Sequence, residues 1–308
     1  MGNKKLKDTL QLKLRQPPIH NQKHHPHPQQ HAKPAKPTQT RHHHQPRRPP
    51  VMPFVEWDTI LFVGEGNFSF AHAVLEKLHA ACDVTATSYD SEHTVREKYP
   101  DAATHIDAIR DLGGDVQWSV DATALEKWKA GRTKRFSKIV FNFPHVGAGL
   151  KDKLRNIDAN QSLIHAFLLS ACTLLAPHPT ASPPTPGEIL ITLKTGDPYD
   201  LWDVKAQARR TGVLACARSF EFVPSLYPEY SHRRTIGYAQ GRSADANEEI
   251  VRRAPPRTWA FVVDLDLAKG TGKRKAGARG GAAAADDKDS APGKRKKKRR
   301  GDDSESDD

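Results

Sequence analysis

Between residues 53 and 268, short apolar runs alternate with amphipathic stretches, and no other feature of the chain constrains its fold as much. The runs Thr59–Val63, Val84–Ser88, Val116–Val120, Lys138–Phe143 and Glu188–Leu193 are too short for helices and read as strands. Lys138–Phe143 is apolar enough to lie at a sheet centre. Helical spacing predicts helices over Asn67–His79, Ser91–Lys98, Ala102–Leu112, Arg155–Leu175 and Asp200–Arg210. In the Arg155–Leu175 stretch, Leu163, Ile164, Phe167, Leu168, Ala171 and Leu174 recur at three-and-four spacing and make one buried stripe. Leu214–Phe222 and Arg257–Leu265 read as two last strands, joined by residues 223–256. A connection that long inside a compact domain usually carries function. The expected fold is α/β: a single doubly wound, Rossmann-like domain with a mostly parallel sheet covered on both faces.

The ends of the chain have a different composition. Residues 1–50 hold 11 Lys+Arg and one acid, residues 269–308 hold 13 and 8, and the middle holds 24 against 27. The net charge of +12 therefore belongs to the ends, while the middle carries −3. Residues 1–52, rich in Pro, His and Gln, bury too little apolar area to offset ordering entropy, and a disordered tail is expected there. The run His42–His44 is of a type that can bind metal, but with no fixed geometry and no second shell it reads as part of a polar low-complexity tail, and no metal site is expected. Residues 269–308 are expected to be a second disordered tail, whose basic block Lys294–Arg300 reads as a nuclear address for the import machinery. No apolar run approaches the roughly 18 residues of a membrane span, and the start lacks the apolar segment of a secretory signal. A soluble, unsecreted protein without membrane contact is expected. Cys82, Cys172 and Cys216 never stand at CxxC spacing, so they read as buried, reduced thiols.

In a doubly wound sheet ligands bind beyond the carboxyl ends of the strands. After the first strand, Gly64-Glu65-Gly66-Asn67-Phe68-Ser69 offers two glycines for a tight turn and Asn67 as a helix cap. Ser69 stands where a dinucleotide fingerprint needs Gly or Ala, which disfavours NAD. Asp90 follows the second strand at the distance of a ribose-binding acid, and Asp121 follows the third, where adenine binding and helix capping are equally good readings. After the fourth strand, Asn142-Phe143-Pro144-His145 sets an amide and a proline-restrained carbonyl beside an aromatic ring. That set suits a planar nitrogen nucleophile held in line with a methyl donor. Lys194 places a cation beside the cleft, and Tyr227 to Arg234 interleaves Tyr230 and His232 with Arg233 and Arg234, as single-stranded RNA requires.

The segments Ile60–Phe70, Ala86–Glu92, Phe141–Gly147, Glu188–Trp202 and Tyr227–Gly237 together resemble the ribosomal RNA uridine-N3 methyltransferases that act on the large-subunit RNA of fungi, and their relatives in other eukaryotes. The tetrapeptide is similar to the Asn/Asp-Pro-Pro-aromatic motif of nitrogen-directed methyltransferases, with His145 in the aromatic position. The resemblance implies a class I fold, S-adenosylmethionine as cofactor, large-subunit precursor RNA as partner, and a nucleolar place of action. Carried over by position, Gly64, Glu65, Gly66, Asn67, Ser69, Asp90 and Asp121 bind cofactor, while Asn142, Pro144 and His145 are catalytic. Phe143, Lys194, Tyr230, His232, Arg233 and Arg234 are expected on the substrate side. His145 is the expected proton acceptor and His232 its rival. The loop Pro177–Pro186 and the insertion Gln240–Pro256 are longer than the family pattern, and no substrate contact is expected from them. The competing functions are a non-catalytic RNA-binding assembly factor and a methyltransferase of another RNA. Removing both tails, residues 1–52 and 269–308, is expected to weaken RNA affinity and nuclear accumulation while cofactor affinity stays within twofold, about the scatter of a binding isotherm; filter binding, microscopy and calorimetry check this.

Overall fold

The computed structural model describes residues 49–147, 149, 152–237, 247–252 and 254–268. The basic block Lys294–Arg300 and nearly all of both expected tails lie outside the described residues.

Seven strands form one sheet in the order β3-β2-β1-β4-β5-β7-β6. They are β1 Thr59–Val63, β2 Asp83–Thr87, β3 Asp115–Gln117, β4 Lys138–Asn142, β5 Glu188–Leu193, β6 Leu214–Glu221 and β7 Arg257–Val263. The first five are parallel, and β7 inserts antiparallel between β5 and β6. This is the doubly wound Rossmann-like arrangement, ended by an antiparallel pair, and β4 occupies its centre as expected. Alternate residues serve opposite faces, as a two-residue period dictates. Ile60 and Phe62 join one core with α1 (Ser69–Lys77), α2 (Glu92–Lys98) and α3 (Ala102–Asp111). Leu61 and Val63 join the other with α4 (Lys153–Cys172) and α5 (Val204–Arg210).

Three expected elements differ at their edges, each for a local backbone reason. α1 starts at Ser69 because Phe68 is left-handed, with φ 64°. β3 ends at Gln117, and Ser119 at φ 54° turns the chain, although the Val120 N–H still reaches the Ser88 carbonyl at 3.0 Å. The helix expected over Asp200–Arg210 divides into a 3-10 turn, Tyr199–Trp202, and α5, because Asp203 is left-handed and caps α5 through the Ala206 N–H. Among the described residues no helix is long and apolar enough to cross a membrane. All three cysteines are free, but Cys216 is exposed on the edge strand β6, at the start of an irregularity in its pairing with β7, and Cys82 and Cys172 are half-buried.

Part of the long connection after β6 turns inward. Tyr227 and Tyr230 enter the core against Phe70 of α1, at ring-centroid distances of 4.7 and 5.3 Å, and Phe222 completes the cluster. Ser69 and Ser231 add a second link, the Ser69 hydroxyl oxygen accepting the Ser231 N–H at 3.0 Å and lying 3.1 Å from the Ser231 carbonyl, which shares the single hydroxyl proton with Asn67. Phe70→Ala is expected to cost about 3–5 kcal/mol in urea unfolding, as large aromatic truncations in packed cores do. It should also loosen residues 227–234, seen as faster amide exchange.

Candidate active site

β1 and β4 lie side by side where the winding of the sheet reverses, so their carboxyl ends frame the crevice. Two adjoining clefts open there. Gly64, Glu65, Gly66, Asn67, Asp90 and Asn142 line the first, of about 120 Å³. The second, of about 300 Å³, is lined by Pro144, His145, Lys194, Tyr199, Trp202 and Glu249, among others. Phe143, His232, Arg233 and Thr235 line both and form the wall between them.

The turn after β1 needs its first glycine for packing as well as conformation. Gly64 has φ +69°, and a Cβ there would lie 2.6 Å from the Phe141 ring. Asn67 takes the Ser69 N–H and hydroxyl on its Oδ1 and gives Nδ2 to Asp101 at 2.8 Å. Ser69 is committed to Asn67 and Ser231, so its role in the turn is to hold the loop. Glu65 is buried at 9 % exposure, with only the Phe70 and Ala71 N–H groups beside its carboxylate, Ala71's at 3.5 Å. Burial pushes its carboxyl up to about 7 against their pull. Among the described residues it has no salt-bridge partner, whereas Asp101, Glu188 and Glu249 each have an Arg or Lys within 2.9 Å. Asp90 lines the first cleft and accepts from Lys98 at 2.8 Å. Asp121 does not line it; it is exposed and caps the following 3-10 turn through the Thr123 N–H and hydroxyl. Capping is therefore what its geometry serves.

β4 delivers the tetrapeptide. Phe143 is left-handed at φ 50°, a conformation that costs a β-carbon-bearing residue about 1–3 kcal/mol. It is held by its N–H bond to the Thr192 carbonyl at 2.8 Å and by ring contacts to Phe222 and His232. That bend carries Pro144 and His145 over the second cleft. The Asn142 amide nitrogen is buried with no hydrogen-bond partner among the described residues, as a group reserved for a ligand would be. His145 Nδ1 accepts the Gly147 N–H at 2.9 Å, and burial and then Lys194 lower its pKa. A backbone N–H can only donate, so the neutral ring carries its proton on Nε2. His232 Nδ1 meets the Tyr230 hydroxyl at 3.1 Å, and burial, with Lys194 next, holds its pKa down to about 4.

Several residues do not stand where the sequence placed them. Tyr227 and Tyr230 are 3 % and 7 % exposed, so they cannot stack on RNA bases; their spacing served the core. The Arg233 side chain is 13 % exposed and donates to Asp101 at 2.7 Å, while Arg234 lies nearer the surface. The insertion expected to stay clear of the substrate in fact reaches the site. Asn247 accepts the His232 N–H and donates to the Tyr230 carbonyl, and Glu249 of α6 (Glu248–Val251) binds Lys194 at 2.7 Å and Arg234 at 2.9 Å. Burial pushes the Glu249 carboxyl up, but those two cations outweigh it and hold it at about 2. Tyr199 and Trp202 were also missed; their rings lie 5.0 Å apart, and Trp202 is 5.9 Å from His145. No local signal marks Glu249 or Asn247, whose importance comes only from where the insertion lands. Among the described residues no three His, Cys, Asp or Glu are grouped to hold a metal.

A doubly wound sheet with two clefts meeting at a bent Asn-Phe-Pro-His strand end defines a Rossmann-like domain built to bring two ligands together. Residues 61–234 match the family described as BMT5-like, rRNA (uridine-N3-)-methyltransferase BTM5-like, and the chain belongs to it. It is 35% identical over 189 residues to an uncharacterised protein of Arabidopsis thaliana, covering 60% of this chain and 85% of that one. It is 32% identical over 230 residues to the 25S rRNA (uridine(2634)-N(3))-methyltransferase of Saccharomyces cerevisiae, covering 60% and 68%. A ferredoxin-fold anticodon-binding domain-containing protein 1 homolog of Mus musculus is 31% identical over 179 residues, but the match spans only 26% of it.

The Glu249 clamp has a defined pH signature. Its carboxyl lies lower folded than unfolded, so the stabilisation is complete above about 4.5 and is lost as pH falls towards about 2. Glu249→Gln is expected to cost about 1 kcal/mol or less at pH 7, since the cluster is partly solvated. In urea titrations the gap between the two proteins should narrow progressively as pH is lowered from about 4.5 towards 2.

Proposed function

We propose that this protein transfers a methyl group from S-adenosylmethionine to N3 of a uridine in large-subunit ribosomal RNA. The observation that carries the proposal is that Asn142-Phe143-Pro144-His145 spans the two clefts, Asn142 lining the first, Pro144 and His145 the second and Phe143 both, in a chain of this family. The first cleft fits the donor: an acid without a cation, Glu65, suits a positively charged ligand, and Asp90 stands at the β2 end where a ribose can be held. Gly64, Glu65, Gly66, Asn67 and Asp90 would hold it, and when bound it supplies an electrophilic methyl group.

The second cleft suits a flat base. Tyr199, backed by the buried Trp202, gives it an aromatic side, while Pro144 and, from the adjoining first cleft, Asn142 supply polar groups. Alignment of this kind is worth several kcal/mol, roughly 7 to 11 in favourable cases. Uridine N3 must lose a proton to become nucleophilic. We assign its acceptance to His232, because His145 already uses its lone pair on Gly147, whereas the Tyr230–His232 bond can carry its proton either way and leave His232 Nε2 open. His145, with its proton on Nε2, is a donor suited to a uracil carbonyl, where negative charge develops as the proton leaves.

Nuclear and nucleolar action through Lys294–Arg300 belongs to the same proposal and is supported by the charge pattern alone. Mass spectrometry of nucleosides from ribosomal RNA with and without the gene tests the whole: 3-methyluridine is expected to fall when the gene is removed, and an unchanged level would refute the substrate. Asn142→Ala should slow single-turnover methylation about 10²–10³-fold, the scale of one lost transition-state contact. Its S-adenosylhomocysteine affinity should stay within a few-fold. His145→Gln, which keeps a donor, should retain more of the rate than His232→Gln; the reverse order would return the acceptor role to His145.

A further inference from the structure

The first cleft is lined by an acid with no cationic partner among the described residues. The acids around the clefts and in the strands have their cations: Asp101 has Arg233, Glu188 has Lys138 and Arg218, and Glu249 has Lys194 and Arg234, while the fully buried Asp58 before β1 has the Ser137 hydroxyl at 2.6 Å and the Val55 N–H at 2.9 Å instead. Glu65 has none among the described residues, although it is nearly as buried as Glu188, at 9 % exposed against 8 %. An ionised carboxylate in such a place is costly unless a cation or strong hydrogen bonds accompany it. The N–H groups at the head of α1 supply one long bond of 3.5 Å, which does not replace an ion pair. Glu65 also lines the cleft between the Gly64–Asn67 turn and the Tyr230–Arg233 stretch, the side from which a partner can reach it.

The geometry points to Glu65 as the counter-charge for the cationic end of the methyl donor, whose binding expels one proton from this side chain to solvent. The inference rests on the proposed use of S-adenosylmethionine and adds to it a proton balance and a residue that distinguishes charged from neutral ligand. The donor carries an ammonium and a sulfonium; methyl transfer turns the sulfonium into a neutral thioether and leaves the ammonium unchanged. If the sulfonium is the partner, the site favours fresh donor over spent product. If the ammonium is the partner, both ligands are held alike.

The other charged or titratable groups facing this cleft do not mimic the effect. Asp90 is paired with Lys98, and Arg233 with Asp101. Tyr230 is pushed well above its usual value by burial and then by Glu65, and Tyr99 up to about 12 by burial and then by Asp90. His232 is held down to about 4, below the range in which Glu65 changes charge. Glu65 itself is at about 7 with no cation present. A ligand that binds its ionised form therefore binds more tightly as pH rises towards 7 and more weakly as pH falls below it.

Isothermal titration of the full-length protein with S-adenosylmethionine alone, at pH 6.5 in buffers of different ionisation enthalpy, tests this. The wild type is expected to release between about a half and one proton per ligand, and to lose affinity on the order of tenfold between pH 7 and pH 5.5. Glu65→Gln should bind more weakly at pH 7, release close to no proton and show a flat profile over the same range, while Glu65→Asp, which keeps the acid, should restore part of the release. The donor's own amino group titrates near 8 and contributes equally to every variant. Release with S-adenosylmethionine but not S-adenosylhomocysteine assigns the sulfonium, and release with both assigns the ammonium. Equal proton release by wild type and Glu65→Gln, or undiminished affinity in Glu65→Gln, would overturn the inference and leave the proposed function standing. Absence of any binding to the wild type would overturn both.

Discussion

The docking of the Tyr227–Arg234 segment onto the head of α1 is the contact on which the rest of the site depends. Phe70 receives Tyr227 and Tyr230 in one aromatic cluster, and the Ser69–Ser231 pair fixes the register of the two segments. Without it the crevice would have a floor, from β1 and β4, but no wall. His232 and Arg233 reach both clefts because Tyr230 and Ser231, immediately before them, are anchored in the core. Aromatic contacts of this kind are worth about 0.5–1.5 kcal/mol each beyond area burial, and their concentration here makes a long connection rigid.

Charge around the site follows a consistent physical rule. Arg233, Lys194 and Arg234, the cations nearest the clefts, are each held by a carboxylate, so they are oriented in the empty protein instead of searching for a partner. Glu65 is the departure from that rule, in the one cleft where the proposed ligand carries positive charge. Two neutral imidazoles stand beyond it in the wall and the second cleft, both lowered by burial and by Lys194. Their hydrogen bonds separate them: His145 has given its lone pair to the backbone, and His232 shares its Nδ1 with a hydroxyl that can donate or accept.

Much of the fold was legible because it rests on periodicity. The strands β1, β4 and β5 and the α4 helix stand within a few residues of their expected places, since apolar alternation and three-and-four spacing report burial directly. Misplaced edges trace to left-handed residues, Phe68, Ser119 and Asp203, none of them glycine, whose conformation depends on neighbours distant in sequence. Within the site, the strand-end residues Glu65, Asp90, Asn142 and Pro144 were legible, because the topology sends every strand end to the crevice. Tyr230 was misread for an instructive reason: an aromatic between charged residues has the same local pattern whether it stacks on a base or turns inward, and only Phe70 and Phe222 decide between the two.

By itself the sequence determined the class of fold, the order of its strands' contributions, the identity of the strand-end tetrapeptide and the concentration of positive charge at the ends of the chain. These are properties of neighbouring residues, and local pattern is enough to state them. Tertiary structure alone decided that Glu249 and Asn247 join the site, that Asp121 is a cap, that His145 has no free lone pair and that Glu65 has no protein cation among the described residues. Each of those depends on which groups meet across long stretches of chain. Ion pairing, desolvation and hydrogen-bond direction are set by distances of a few ångströms in space, which separation along the sequence does not encode.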